Sequence, residues 1–186
     1  HRTSRRQRQM CIRDRPMHAH DTVFVSGGRG SGKTVFLKNI RGYWEEQELD
    51  DKPTIYFAPI IDPTLLVDHD NFSNVIVATL YNMVEEELGK RDISERKKNE
   101  FFLKLKKLSG ALGNKADYED LHGLDLVIKY TSGIQVERLF HEFVVSCIDI
   151  LSVDAIEIIF DDVDMALGIA FDVLEVVRKL LLCPLI

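Results

Sequence analysis

Thr22-Val23-Phe24-Val25-Ser26-Gly27-Gly28-Arg29-Gly30-Ser31-Gly32-Lys33-Thr34 decides how the chain is read. The first five residues are β-branched or aromatic and predict a short buried strand. The pattern G-x-x-x-x-G-K-[ST] follows, met at Gly27, Gly32, Lys33 and Thr34. Beyond it, Phe36, Leu37, Ile40 and Trp44 recur at helical spacing and predict a helix from Lys33 to about Gln47. Strand, glycine loop and helix in this order build a phosphate cradle. Glycines permit the backbone angles and the close approach to an anion that the cradle needs. Successive N–H groups from Gly27, Gly28, Arg29, Gly30, Ser31, Gly32, Lys33, Thr34 and Val35 then converge on the phosphates. The helix start adds the positive end of its dipole. Lys33 is expected to neutralise the β- and γ-phosphates, and the Thr34 hydroxyl to ligate Mg²⁺.

A Mg²⁺-assisted site also needs a carboxylate at the end of a buried strand. Ala155-Ile156-Glu157-Ile158-Ile159-Phe160 predicts that strand, and Asp161-Asp162 ends it. Asp161 is expected to assist the metal through a water, because Mg²⁺ keeps much of its hydration shell. Asp162 is expected to orient the attacking water. The competing reading is a helix cap, in which Asp162 or Asp164 starts a helix near residue 165.

Between these motifs, Thr54–Phe57 reads as a strand ended by Pro59 and Asp62-Pro63. Ile76, Leu80, Met83, Val84 and Leu88 mark one helix face, and Phe101, Phe102, Leu105 and Leu108 a short amphipathic helix. Residues 109–118 read as an exposed loop, residues 135–151 as a helix and residues 166–182 as a final helix. Strands alternating with helices predict a parallel α/β sheet flanked on both faces.

Together, the phosphate loop and the apolar strand ending in Asp-Asp resemble the P-loop ATPases with an additional central strand, which include AAA+ proteins and their STAND and KAP relatives. The Asp161-Asp162-Val163-Asp164 ending looks most like the STAND and KAP groups. The resemblance covers residues 21–40 and 154–165. It implies a three-layer α/β/α domain with a mainly parallel sheet, ATP and Mg²⁺ as ligands, and ATP hydrolysis that drives a conformational switch or an assembly. AAA+ members usually carry glutamate where Asp162 stands, so a nucleotide-gated scaffold with weak or no hydrolysis stays open beside the ATPase. Lys33 and Asp161 lie 128 positions apart, which implies a helical insertion over about residues 63–150. A sensor residue and an arginine finger are expected beyond Ile186 or on a neighbouring subunit of a homo-oligomer. Signalling or antiviral defence in prokaryotes is the process that the resemblance suggests.

Other readings fare worse. Asn114-Lys115-Ala116-Asp117 and Asp120-Leu121-His122-Gly123 match the guanine reader and switch of GTPases, but in the wrong order and without a leading strand. A small-molecule kinase needs an arginine-rich lid, and only Arg91 and Arg96 lie near. Leu108-Ser109-Gly110 lacks the rest of a transporter signature. Tyr43 and Trp44 read as packing residues, His141 as a solvated residue on the polar side of its helix. The cluster Arg96-Lys97-Lys98 with Lys104, Lys106 and Lys107 could contact phosphate backbones, but interleaved acids favour a solvated helix face.

The net charge of −6 conceals an asymmetry. Residues 1–15 hold six arginines and one aspartate; without them 18 basic residues face 29 acidic ones, a net charge of −11. An acidic body does not favour nucleic acid as a bulk partner. Met10–Arg15 back-translates to a sequence resembling the transposon-end tag of sequencing libraries, so residues 1–15 are expected to be non-native and the natural sequence to begin near Pro16. The apolar Cys183-Pro184-Leu185-Ile186 reads as the start of a further strand, so the chain is expected to be a C-terminally truncated fragment. No apolar run approaches the roughly 18 residues of a membrane span. Three cysteines in no metal-ligand spacing suit a reducing cytoplasm.

Overall fold

The computed structural model describes residues 23–66, 72–112, 135–165, 168 and 170–181. They form five α-helices: α1 (Lys33–Glu45), α2 (Phe72–Lys90), α3 (Glu95–Ala111), α4 (Val136–Leu151) and α5 (Ala170–Val176). Two strands, β1 (Ile55–Phe57) and β2 (Ala155–Glu157), pair in parallel. A 3₁₀ turn at Pro63–Leu65 follows β1, and a π-helical turn at Val177–Leu181 extends α5. The expectation of an α/β domain with parallel strands is met; the sheet among the described residues has two strands.

Parallel strands cannot be joined by a hairpin and need a crossover. Here α2, α3 and α4 supply it, and they also hold most of the core. Phe72, Ile76, Val77, Leu80, Met83 and Val84 line the inner face of α2. Leu139, Phe140, Phe143, Val144, Cys147, Ile150 and Leu151 do so for α4. From α3 come Phe101 and Leu108, both with no exposure. The Phe101 ring lies 5.5 Å from that of Phe143 and 6.4 Å from that of Tyr81, tying the three helices at one point. Burial pushes the Cys147 thiol up to about 12, so this cysteine is a packing group and not a nucleophile.

The sheet closes over a long loop. Ile55 pairs with Ala155, Tyr56 with Ile156 and Phe57 with Glu157. The Asp154 carboxylate accepts from Thr54 N–H at 2.7 Å, and Asp154 N–H donates to Thr54 O at 2.8 Å. Pairing resumes past β2, where Ile61 bridges Phe160. The Phe160 ring packs 5.4 Å from that of Phe72 and couples this bridge to α2.

Four sequence expectations change. The amphipathic segment around Phe101 is a full helix running to Ala111, so the start of the expected 109–118 loop is helical; Leu112 caps the helix, and residues 113–118 lie outside the described residues. His141 is half-buried and not solvated. The last helix, expected from residue 166, is described from Ala170 and turns π-helical at Val177. Most important, Val23–Ser26 is not a strand. Val23 is 82% exposed, Phe24 71% and Val25 43%, because no backbone among the described residues pairs with this segment.

Glu157 introduces an electrostatic cost into β2. Desolvation raises its carboxyl above the usual range, and no cation among the described residues offsets this. A carboxyl whose pKa is higher in the folded than in the unfolded chain adds stability at low pH and loses it as pH rises through the folded value. Glu157→Gln should therefore raise the urea midpoint at pH 7, and the gain should vanish near pH 4. An equal midpoint shift at both pH values would contradict this assignment.

Candidate functional site

The glycine loop leads directly into α1. Ser31 N–H donates to Gly28 O at 3.1 Å and closes a tight turn. Gly30 and Gly32 have φ of +81° and +87°, the left-handed region that costs other L-residues roughly 1–2 kcal/mol. These two glycines are thus required by the backbone, which the sequence pattern anticipates. At Gly27 a Cβ would meet the Ser31 side chain, whose hydroxyl would have to turn aside.

Gly32 is the N-cap of α1 and offers no side chain to cap it. Its carbonyl accepts from Phe36 N–H at 2.9 Å, so the helical ladder starts there. The N–H groups of Lys33, Thr34 and Val35 come before the first such bond, and the first turn holds no acidic residue. An uncapped, positively polarised helix end is left facing the loop. Lys33 curls back over it and donates from Nζ to Gly27 O at 2.7 Å. Lys33 and Thr34 are half-buried, while Gly27 to Gly32 are exposed.

The second half of the site lies past β2. Asp161 is 8% exposed and one of two buried polar residues among those described. Its N–H donates to Ile61 O at 3.1 Å, so it still belongs to the strand ladder. Its carboxylate accepts from Asp162 N–H at 3.0 Å. Asp162 has φ +52°, left-handed for a residue with a side chain, and its carbonyl accepts from Met165 N–H at 3.0 Å. Residues 163–165 form a turn and the next described helix begins at Ala170, so neither Asp162 nor Asp164 caps a helix at 165. The left-handed Asp162 has no sequence signal beyond its being an aspartate, a type that tolerates this conformation.

The two halves are built separately. Among the described residues, no hydrogen bond or ion pair joins Lys33 or Thr34 to Asp161 or Asp162. Nor is there any cluster of three His, Cys, Asp or Glu side chains of the kind that holds a metal unaided. The helix α1 has no buried residue; beyond Lys33 and Thr34, only Leu37, Ile40 and Trp44 are half-covered along it.

A glycine turn with two left-handed residues, an uncapped helix start and a lysine inside the turn define an anion-binding loop of the nucleotide-binding α/β class. The family comparison makes this specific: the model of the KAP family P-loop domain matches residues 11–183, and the chain belongs to that family. Comparison with curated proteins finds no match. Among the described residues no helix is long and apolar enough to cross a membrane.

Proposed function

We propose that the domain binds ATP with Mg²⁺ at Gly27–Thr34 and hydrolyses it to drive a conformational switch or an assembly. The observation that carries the reading is the uncapped start of α1 behind Gly30 and Gly32, with Lys33 folded over it. In this reading the loop N–H groups from Gly28 to Val35 hold the phosphates, and Arg29 and Ser31 contribute backbone only. Lys33 leaves Gly27 O for the β- and γ-phosphate oxygens, a charge-assisted exchange. Mg²⁺ takes only one or two protein groups beside phosphate and water, so the Thr34 hydroxyl and the Asp161 carboxylate suffice to hold it. Bound there, the ion would neutralise charge on the γ-phosphate. Buried Asp161 sits at the strand end, as that role requires. Asp162, next in the chain and less buried, orients the attacking water.

Asp162→Asn should keep ATP affinity within about twofold and lower turnover by about 10²-fold or more, the range of a lost general base. Phosphate release measured beside nucleotide titration checks both. Retained turnover would remove Asp162 from the mechanism and leave the binding assignment standing.

A second reading is a nucleotide-gated scaffold, in which bound ATP orders an assembly and hydrolysis is vestigial. The exposed Val23–Val25 and the thinly packed α1 favour it, since both have surface left to order. Turnover at saturating ATP separates the two: the scaffold reading expects binding without phosphate release.

A further inference from the structure

Helix α3 carries six basic and two acidic residues, +4, in a chain whose remainder is therefore −10. Its two acids are spent within the helix. Glu95 pairs with Lys98 at 2.9 Å and Glu100 with Lys104 at 2.8 Å. Arg96, Lys97, Lys106 and Lys107 are exposed; Arg96 lies in the field of the Glu100 carboxylate, and the three lysines enter no ion pair among the described residues. Between them, Phe102 and Leu103 stand 45% and 53% exposed, although the Phe102 ring meets that of Phe101 edge-on at 5.4 Å. A solvated face needs neither residue, and two adjacent large apolar side chains ringed by unpaired cations have the composition of an interface.

The complementary surface is on the same chain. Past α1, residues 45–51 read Glu-Glu-Gln-Glu-Leu-Asp-Asp. Glu46, Glu48, Asp50 and Asp51 are exposed and unpaired among the described residues, and Leu49 is 51% exposed among them. Glu45 is taken by Arg41 at 2.7 Å. Lys52, the adjacent cation, is turned inward, donating to Glu45 O and Gln47 O at 2.9 Å each. This pins the acidic segment against the end of α1 and keeps its carboxylates outward.

We propose that α3 of one copy docks on the acidic segment 46–51 of a second copy, head to tail, with Leu49 against Phe102 and Leu103. A polyanion fits less well, because four cations neutralise few phosphates and a polyanion offers no apolar partner for Phe102 and Leu103, whereas the second copy offers Leu49. Head-to-tail contacts leave a free α3 and a free acidic segment at the two ends, so the association continues into rings or filaments. It would also brace α1, which its own chain leaves without a buried residue.

The test is sedimentation of the chain over a concentration series. Wild type should self-associate, and more weakly from low salt to about 0.5 M, as screened charge pairs do. Lys106→Glu with Lys107→Glu should weaken association at least about tenfold, and so should Glu48→Lys with Asp50→Lys. All four sites are exposed, so circular dichroism should show the fold unchanged. Mixing the two variants should restore association, because each then offers the other a complementary pair of surfaces. Monomeric wild type at low salt would overturn the proposal, as would association that ignores both reversals. Loss of binding to anionic vesicles or single-stranded DNA in the lysine variant, without self-association in wild type, would instead assign α3 to a polyanion.

Discussion

Lys33→Ala should reduce ATP affinity by about 100-fold while leaving the fold unchanged. In the described structure, Lys33 makes a single bond, to Gly27 O within its own loop, and touches no core residue through a polar contact. Removing it costs the folded chain little. With nucleotide bound, the same ammonium would bridge phosphate oxygens, where a charge-assisted bond contributes roughly 1.5–3 kcal/mol. Losing one such bond weakens binding about 10- to 200-fold, and losing two more than that. Isothermal titration with ATP measures the affinity, and thermal melting without nucleotide supplies the control. Equal affinity in wild type and variant would end the nucleotide reading of the loop.

Phe101→Ala should destabilise the domain by about 3–5 kcal/mol, the range for a phenyl ring deleted from a closed core. Phe101 has no exposure and touches the rings of Phe143, Tyr81 and Phe102. These contacts join α3 to α4 and α2, so the cavity opens where the three helices meet. Small domains are stable by only about 5–15 kcal/mol, so the loss is a large fraction of the total. Phe102→Ala is the matched control. It deletes the same ring one position along, on a side chain 45% exposed, and should cost less than half as much. Urea unfolding of both variants decides the matter; equal midpoints would mean that the burial of Phe101 does not carry the junction.

The contrast between these two phenylalanines shows what helical spacing can and cannot tell. Phe101, Phe102, Leu105 and Leu108 all read as one amphipathic face. Only packing against α4 sends Phe101 and Leu108 inward and leaves Phe102 outside. A helix turns about 100° per residue, so neighbours 101 and 102 cannot both face one partner, and which of them wins depends on where that partner lies. The helices α2 and α4 were legible almost to their ends because their apolar positions recur through several turns. The lysine cluster on α3 reads from its composition as a solvated face with interleaved acids. The structure pairs the two acids with Lys98 and Lys104, which leaves Lys97, Lys106 and Lys107 without an ion pair among the described residues.

The sequence by itself determined the glycine loop, because its demands are local. Positive φ at Gly30 and Gly32, a helix beginning at Lys33 and an uncapped first turn all follow from residues within a few positions of one another. The family match extends far beyond the loop, over residues 11–183. Tertiary structure decided everything that requires a distant partner. The pairing of Ile55 with Ala155, 100 residues on, sets the register that buries Asp161 at the end of its strand. The same dependence left Val23–Ser26 outside any sheet despite ideal strand composition. A strand's hydrogen bonds are made to other segments and a helix's to itself, so β propensity in a sequence becomes structure only where the fold supplies a neighbour.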